Sequence, residues 1–232
     1  MKYVLLTLSI FLYSNLFSQQ RLFKTYEDSV QLIQDANLVV ANFVERVNKI
    51  KPVITQQPKA ILNTKPYLIF YSSRANVINL PLWDQVMTAQ KGFFNQLAGS
   101  ESQGKTVFGL FFNGFYLPHE MGHALQTAIQ KRDSSLYRNE YFANEVAILY
   151  WRAANRTKEL EQCYRYAKQF VSQLKSPVPS GADEETYFNT HYNELGADPF
   201  KYGFFQFNQF IRIYEDASLG SFDDYIRKYL DK

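Results

Sequence analysis

A mostly helical α+β domain with a small β-sheet ahead of its central helix is the fold class this sequence predicts, on three observations. Apolar residues recur at three- and four-residue spacing through most of the chain, as in helices that bury one face. Two short β-rich runs, at 66–71 and 76–81, stand together after the first helical segment. No internal repeat, low-complexity tract or linker divides the pattern, and 232 residues that are 46% hydrophobic and 17% aromatic suit a single core.

The first stretch, "MKYVLLTLSIFLYSNLFSQQ", differs from the rest. It has one basic residue, Lys2, then an apolar run from Tyr3 to about Leu12 and a polar end. That is the layout of a secretory signal peptide, and the run is short for a membrane span. Cleavage is expected near Ser18 or Gln19. The expected organisation is therefore a signal peptide at 1–18 and a single domain at 19–232. The mature chain is expected in the periplasm or outside the cell, without stable membrane insertion. Cys163 is the only cysteine, so no intramolecular disulfide can form. It lies in "KELEQCYRYAKQF", an amphipathic pattern that makes it a small buried hydrophobe.

The elements follow in order. "YEDSVQLIQDANLVVANFVERVNKIK" predicts a helix with Val30, Ile33, Val40, Val44 and Val47 inward. A loop carrying Pro52 and Pro58 comes next. "PYLIFY" (66–71) and "NVINLP" (76–81) are strands joined by "SSRA", and Pro81 stops the second. Residues 83–98 return to helical spacing, and "AGSESQGK" (98–105) has the small polar composition of a loop. The apolar stretch 106–130 contains Pro118, which marks either a helix start or a kink in a longer helix. "KRDSS" (131–135) is a turn in which Ser134 or Ser135 caps a helix over 136–155. A further helix covers roughly 157–175, "SPVPSGAD" (176–183) breaks the pattern, and 184–231 holds two or three aromatic-rich helices. The run "YGFFQFNQF" is expected in the core.

Charge excludes some functions. The chain has 25 basic and 22 acidic residues, a net charge of +3, with no basic block. It carries no nucleic-acid footprint.

The chemistry is concentrated in "LPHEMGH" (117–123). Two of the three histidines, His119 and His123, stand four residues apart with Glu120 after the first. On a helix, that spacing puts both imidazoles on one face, where they can ligate one Zn²⁺ at about 2.0–2.1 Å. Glu120 is offset by one residue and reaches beside the metal, where it can take a proton from water. The flanks are apolar, as a buried active-site helix requires. Gly122 costs a helix about 1 kcal/mol, which a close approach by another backbone would explain.

A catalytic zinc needs a third protein ligand and an open position. His191, Glu140 and Glu145 are the candidates. The glutamates sit five apart in "RNEYFANEVAILYWR", about 140° around a helix, so only one can face the metal. Glu140 shares its stripe with Ala143, Ala147 and Tyr150, small residues at two of three positions, whereas Glu145 shares one with Leu149, Arg152 and Arg156. Glu140 is the better ligand. Asn144, one turn on, is placed to hydrogen-bond the far nitrogen of a ligating histidine.

His119-Glu120-x-x-His123 followed by Asn139-Glu140-Tyr141-Phe142-Ala143-Asn144 resembles the gluzincin branch of the zinc metallopeptidases, which includes the thermolysin-like and the M1 aminopeptidase-like enzymes. The resemblance covers roughly residues 76–147. It implies a zincin-like fold, His119, His123 and Glu140 as zinc ligands, and Glu120 as general base. The chain departs from those families in a shorter gap between His123 and Glu140. It also has an amide at Asn144 where thermolysin-like enzymes commonly have aspartate, and it lacks an aminopeptidase motif. Zincins set an edge strand above the metal for an extended peptide; 76–81 is the expected segment, with Asn76 and Asn79 on one face. Gluzincins often stabilise the oxyanion with a tyrosine or histidine from the C-terminal half, and Tyr202 and His191 are the candidates here.

The function expected is therefore an exported zinc metallopeptidase acting on peptide or protein substrates through a water activated by Glu120. Two alternatives stand beside it. One is a secreted zincin-fold protein that binds a peptide or partner without catalysis, and the other is a zinc hydrolase of non-peptide amides.

Overall fold

The computed structural model describes residues 22–65 and 68–231. The signal-peptide expectation for 1–18, and Pro66 and Tyr67 of the first expected strand, lie outside them. Asp28 starts the first helix by accepting a hydrogen bond from Val30 N at 2.8 Å. Helix α1 (Ser29–Ile50) buries Leu32, Ala36, Val40, Phe43, Val44 and Val47. Val30 is exposed; it lies about 200° around the helix from Leu32, on the opposite face.

The sheet has three strands: β1 (Lys59–Leu62), β2 (Phe70–Ser72) and β3 (Val77–Leu80). β2 and β3 form the expected antiparallel hairpin, with Tyr71 opposite Ile78. β1 was expected as part of a loop. It pairs in parallel with β3, Ala60 opposite Ile78, so the order is β1-β3-β2. Two expectations change as a result. Segment 76–81 supplies the central strand rather than an edge, and the edge beside the metal-motif helix is β2. Asn76 and Asn79 do not share a face either, because positions three apart in a strand point to opposite sides. Asn76 sits in the hairpin turn at φ 53°, while Asn79 is buried and donates to Phe70 O at 3.3 Å. The outer edge of β1 is covered by Asn37 of α1, whose side chain accepts from Ala60 N and donates to Ala60 O.

Helices α2 (Thr88–Ala98) and α3 (Glu101–Leu110) are separated by Gly99 and Ser100 alone. The expected loop at 98–105 is thus mostly helix. Ser100 caps α3 by accepting from Gln103 N at 3.2 Å, and Gln103 belongs to the polar stretch that gave the loop signal. The chain then widens into a π-turn at Phe111–Phe115 and continues as α4 (Tyr116–Ala128). Pro118 therefore lies inside a long helical run. Its ring would collide with the carbonyl four residues back, and the widened turn just before it relieves that contact. Asn113 leaves helical geometry there. Its carbonyl accepts from Phe23 N at 2.8 Å, and its side chain donates to Pro81 O at 3.0 Å.

Ser135 caps α5 (Leu136–Ala153) by accepting from Arg138 N. α6 (Thr157–Val171) buries Cys163 completely, and burial pushes its thiol well above the usual range, so it is inert packing. The remaining helices are α7 (Glu184–Thr190), α8 (Tyr192–Ala197), α9 (Pro199–Glu215) and α10 (Phe222–Asp231). A large aromatic core of Phe94, Phe108, Phe111, Phe115, Phe170 and Phe210 joins α2, α3, α6 and α9. A small separate cluster of Phe188, Leu195 and Phe205 holds α7 and α8 on α9. The whole is α+β and mostly helical. Among the described residues no helix is long and apolar enough to cross a membrane.

Candidate metal centre

α4 and α5 cross at Gly122, where a Cβ would meet Ala143 Cα at 3.0 Å and Cβ at 3.3 Å. This close approach brings Glu140, from the second turn of α5, opposite His119 and His123 on α4. His119 Nε2 lies 3.3 Å from Glu140 Oε2, and His123 Nε2 lies 3.6 Å from Glu140 Oε1. All three side chains are buried, and their ligand atoms fall within 4.8 Å of one another. Tetrahedral ligands at zinc bond lengths are about 3.4 Å apart. Glu145 turns the other way and accepts from the Tyr225 hydroxyl of α10.

The hydrogen bonds behind the group fix which nitrogens are available. Asp133 N donates to Asn139 Oδ1 at 2.9 Å, and Asn139 Nδ2 donates to Asp133 O, so backbone sets the orientation of that amide. Gln126 Nε2 donates to the same Asn139 oxygen at 2.8 Å, which leaves Gln126 Oε1 facing His123 Nδ1 at 3.2 Å. Asn144 Nδ2 donates to Gln206 Oε1 and Gln209 Oε1, leaving Asn144 Oδ1 facing His119 Nδ1 at 2.9 Å. Each Nδ1 therefore carries the proton and donates it, and each Nε2 offers a lone pair toward Glu140. Three buried acceptors meet with no donor among them. A cation between them removes that cost, so the residues fit a divalent metal.

Burial raises the Glu140 carboxyl; the donating Gln206 amide acts against the rise, and the imidazoles lower it only when they are cationic, a positive charge that a bound metal would supply in their place. Burial lowers His123, favouring the neutral imidazole a metal needs. Burial pushes Glu120 up to about 7, although His123 and the Tyr71 N–H act against the rise. Tyr71 N, on the free side of edge strand β2, donates to Glu120 Oε2 at 2.8 Å.

The structure brings together His119, Glu120, His123, Glu140, Asn144 and Tyr202 from the expected set. Tyr202 Oη accepts from Gln206 Nε2 at 3.1 Å, and the same nitrogen donates to Glu140 Oε2 at 2.9 Å. His191 is not brought in: its Nδ1 faces Tyr187 O at 3.0 Å, and its ring stacks on Tyr187 with centroids 4.2 Å apart. The neighbouring Tyr192 packs against Tyr202 instead, with ring centroids 6.4 Å apart, and burial pushes its hydroxyl up to about 12, with Glu140 adding to the rise and a hydrogen bond from Tyr202 acting against it. Sequence reasoning missed Gln126, Gln206, Gln209, Tyr192 and the Tyr71 amide. One signal for the glutamines was present. Tyr202, Gln206 and Gln209 fall on one stripe of a helix otherwise rich in buried phenylalanine, where polar groups need buried partners. No family model, curated protein or solved structure matches the chain.

Proposed function

We propose that this chain is an exported zinc-dependent peptidase with a zincin-like fold, of the gluzincin kind. The observation that carries the reading is the convergence of His119, His123 and Glu140 as three buried acceptors, with Glu120 beside them on the edge of β2. Two imidazoles and one carboxylate are a donor set suited to catalytic zinc. The signal-like composition of residues 1–18 supports export.

When bound, zinc supplies Lewis-acid polarisation of the scissile carbonyl and makes an attacking water more acidic. The chain's own residues do the rest. Tyr71 N–H holds Glu120 Oε2, leaving Oε1 to accept a proton from water and pass it to the leaving amine. The Tyr202 hydroxyl donates to the oxygen on which negative charge develops. An extended peptide lies along the outer edge of β2 and pairs there with groups other than the Tyr71 N–H that holds Glu120, which sets the scissile bond beside Glu120.

Metal analysis and a mixed-peptide digest of the mature chain test the reading together. The expected result is near-stoichiometric zinc and peptide cleavage in the wild type, with zinc lost from Glu140→Ala. Glu120→Gln should keep zinc and lose turnover by at least about a thousandfold. A wild type that takes up no zinc after reconstitution overturns the reading. One observation favours a second reading, a secreted zincin-fold binding protein: Glu120 is only 6% exposed and already hydrogen-bonded by β2. Full zinc occupancy without cleavage of any peptide would select that alternative.

A further inference from the structure

Behind the three ligands lies a set of amides that the zinc-peptidase reading does not require. Gln206, on α9, is at its centre. The side chain is 4% exposed and every hydrogen-bonding atom on it is engaged. Oε1 accepts from Asn144 Nδ2 at 3.2 Å; the two Nε2 hydrogens go to Glu140 Oε2 at 2.9 Å and to Tyr202 Oη at 3.1 Å. Asn144 in turn accepts from His119 Nδ1 at 2.9 Å. Donors therefore run in one direction, from His119 through Asn144 and Gln206 to Glu140. Glu140 Oε2 then faces His119 Nε2 across the ligand group at 3.3 Å. The two ligands are joined around the back by a chain of three hydrogen bonds, open where the His119 Nε2 lone pair faces Glu140.

We infer that Gln206 is a positioning residue that sets the His119 tautomer, the Glu140 carboxylate and the Tyr202 proton together. The inference rests on the metal-site part of the reading above. The physical argument is direct. A primary amide has an acceptor at one end and two donors at the other, and cannot be turned over here without placing Oε1 against a carboxylate oxygen. With Gln206 fixed, Asn144 must present its oxygen to His119, and Nδ1 must carry the proton. The Tyr202 oxygen accepts from Gln206, so its own proton turns away from Gln206, toward the side on which Tyr192 lies. Gln209 accepts the second Asn144 hydrogen at 3.0 Å and closes the set.

The test compares wild type, Gln206→Met and Tyr202→Phe, each as the mature chain. Histidine side-chain ¹⁵N spectra of the metal-free proteins read the His119 tautomer, and competition with a chelator reads zinc affinity. Wild type should show a single tautomer with the proton on Nδ1. Gln206→Met should show mixed tautomers and a zinc affinity lowered roughly 10- to 100-fold. Tyr202→Phe should keep both, because its hydroxyl holds neither ligand directly. Acetohydroxamate binding to the zinc-loaded proteins reads the Tyr202 proton: both variants should lose affinity, and the double variant should lose no more than Gln206→Met alone. If Gln206→Met does not fold, Gln206→Ala, which removes both the acceptor for Asn144 and the donor to Glu140, carries the same comparison. A single unchanged His119 tautomer with wild-type zinc affinity in the variant would overturn the inference. A wild type that binds no zinc would defeat the peptidase reading alone, since the tautomer is read without metal.

Discussion

At the scale of single residues, the feature that sets this site apart is that its supporting groups are neutral. Asn144, Gln126, Gln206 and Gln209 stand behind the histidines and Glu140, so Glu140 is the only formal negative charge among the ligands and their direct supports. Asn144 shows why a carboxylate does not fit. Its nitrogen donates to two amide oxygens, Gln206 Oε1 and Gln209 Oε1. Aspartate there would set an anionic oxygen against both, in a side chain with no exposure. Gln209 has room to reverse, because its nitrogen reaches only Tyr137 O at 3.5 Å. Gln206 reverses only by withdrawing its donors from Glu140 and Tyr202. Asn144→Asp is therefore expected to destabilise the metal-free protein by about 1–3 kcal/mol, measured by denaturant unfolding. A variant as stable as wild type would show that the amide orientation is not fixed as argued.

At the scale of elements, the crossing of α4 and α5 decides whether a metal fits. Gly122 and Ala143 let the two helices approach until the ligand separations reach 3.3 and 3.6 Å. Gly122→Ala gains about 1 kcal/mol of helix propensity, but its methyl group pushes against the backbone of α5 one turn from Glu140. Stability should change little while zinc affinity falls roughly tenfold, and adding Ala143→Gly should restore it only in part, because it removes the 3.3 Å Cβ contact and leaves the 3.0 Å contact with Cα. Chelator competition on the two variants checks this, and unchanged affinity in Gly122→Ala would refute the spacing argument. The same elements show what a sequence makes visible. His119, His123, Glu140 and Asn144 were legible because each is set by helical periodicity within one element. The costly Gly122 also pointed to a close approach. β1 was not legible: it is four residues long, lies just after Pro58, and is stabilised by parallel pairing with β3 across the intervening chain. Without β1, the order of the sheet could not be read and the wrong strand was expected at the edge. Gln206 and Gln209 were missed for a similar reason, since their partner Asn144 is more than sixty residues away.

At the scale of the whole molecule, stability is unevenly distributed around the site. α4, α5 and α9 share the large aromatic core, whereas α7 and α8 rest on the small cluster of Phe188, Leu195 and Phe205. Their remaining attachments are largely polar. Arg212 bonds Glu184 at 2.7 Å, Arg138 bonds Glu185 at 2.8 Å, and Asn189 accepts from Tyr137 N at 2.9 Å. Partly solvated ion pairs of this kind contribute about 0–1 kcal/mol each. Residues 184–197 should therefore open well below the free energy of global unfolding. That segment also carries Tyr192 toward the metal group, so its opening would expose the ligands while their helices stay folded. Hydrogen exchange by mass spectrometry, with and without zinc, separates the two parts. Amides of 184–197 should exchange faster than those of α4 and α5 in the metal-free protein. Zinc at a hundredfold excess over its dissociation constant should add about 2.7 kcal/mol of protection wherever exchange requires global unfolding. It should add less in 184–197, whose opening leaves the ligands in place. Equal protection in both parts would mean that α7 and α8 open only when the whole domain does, and access to the site would then need another route.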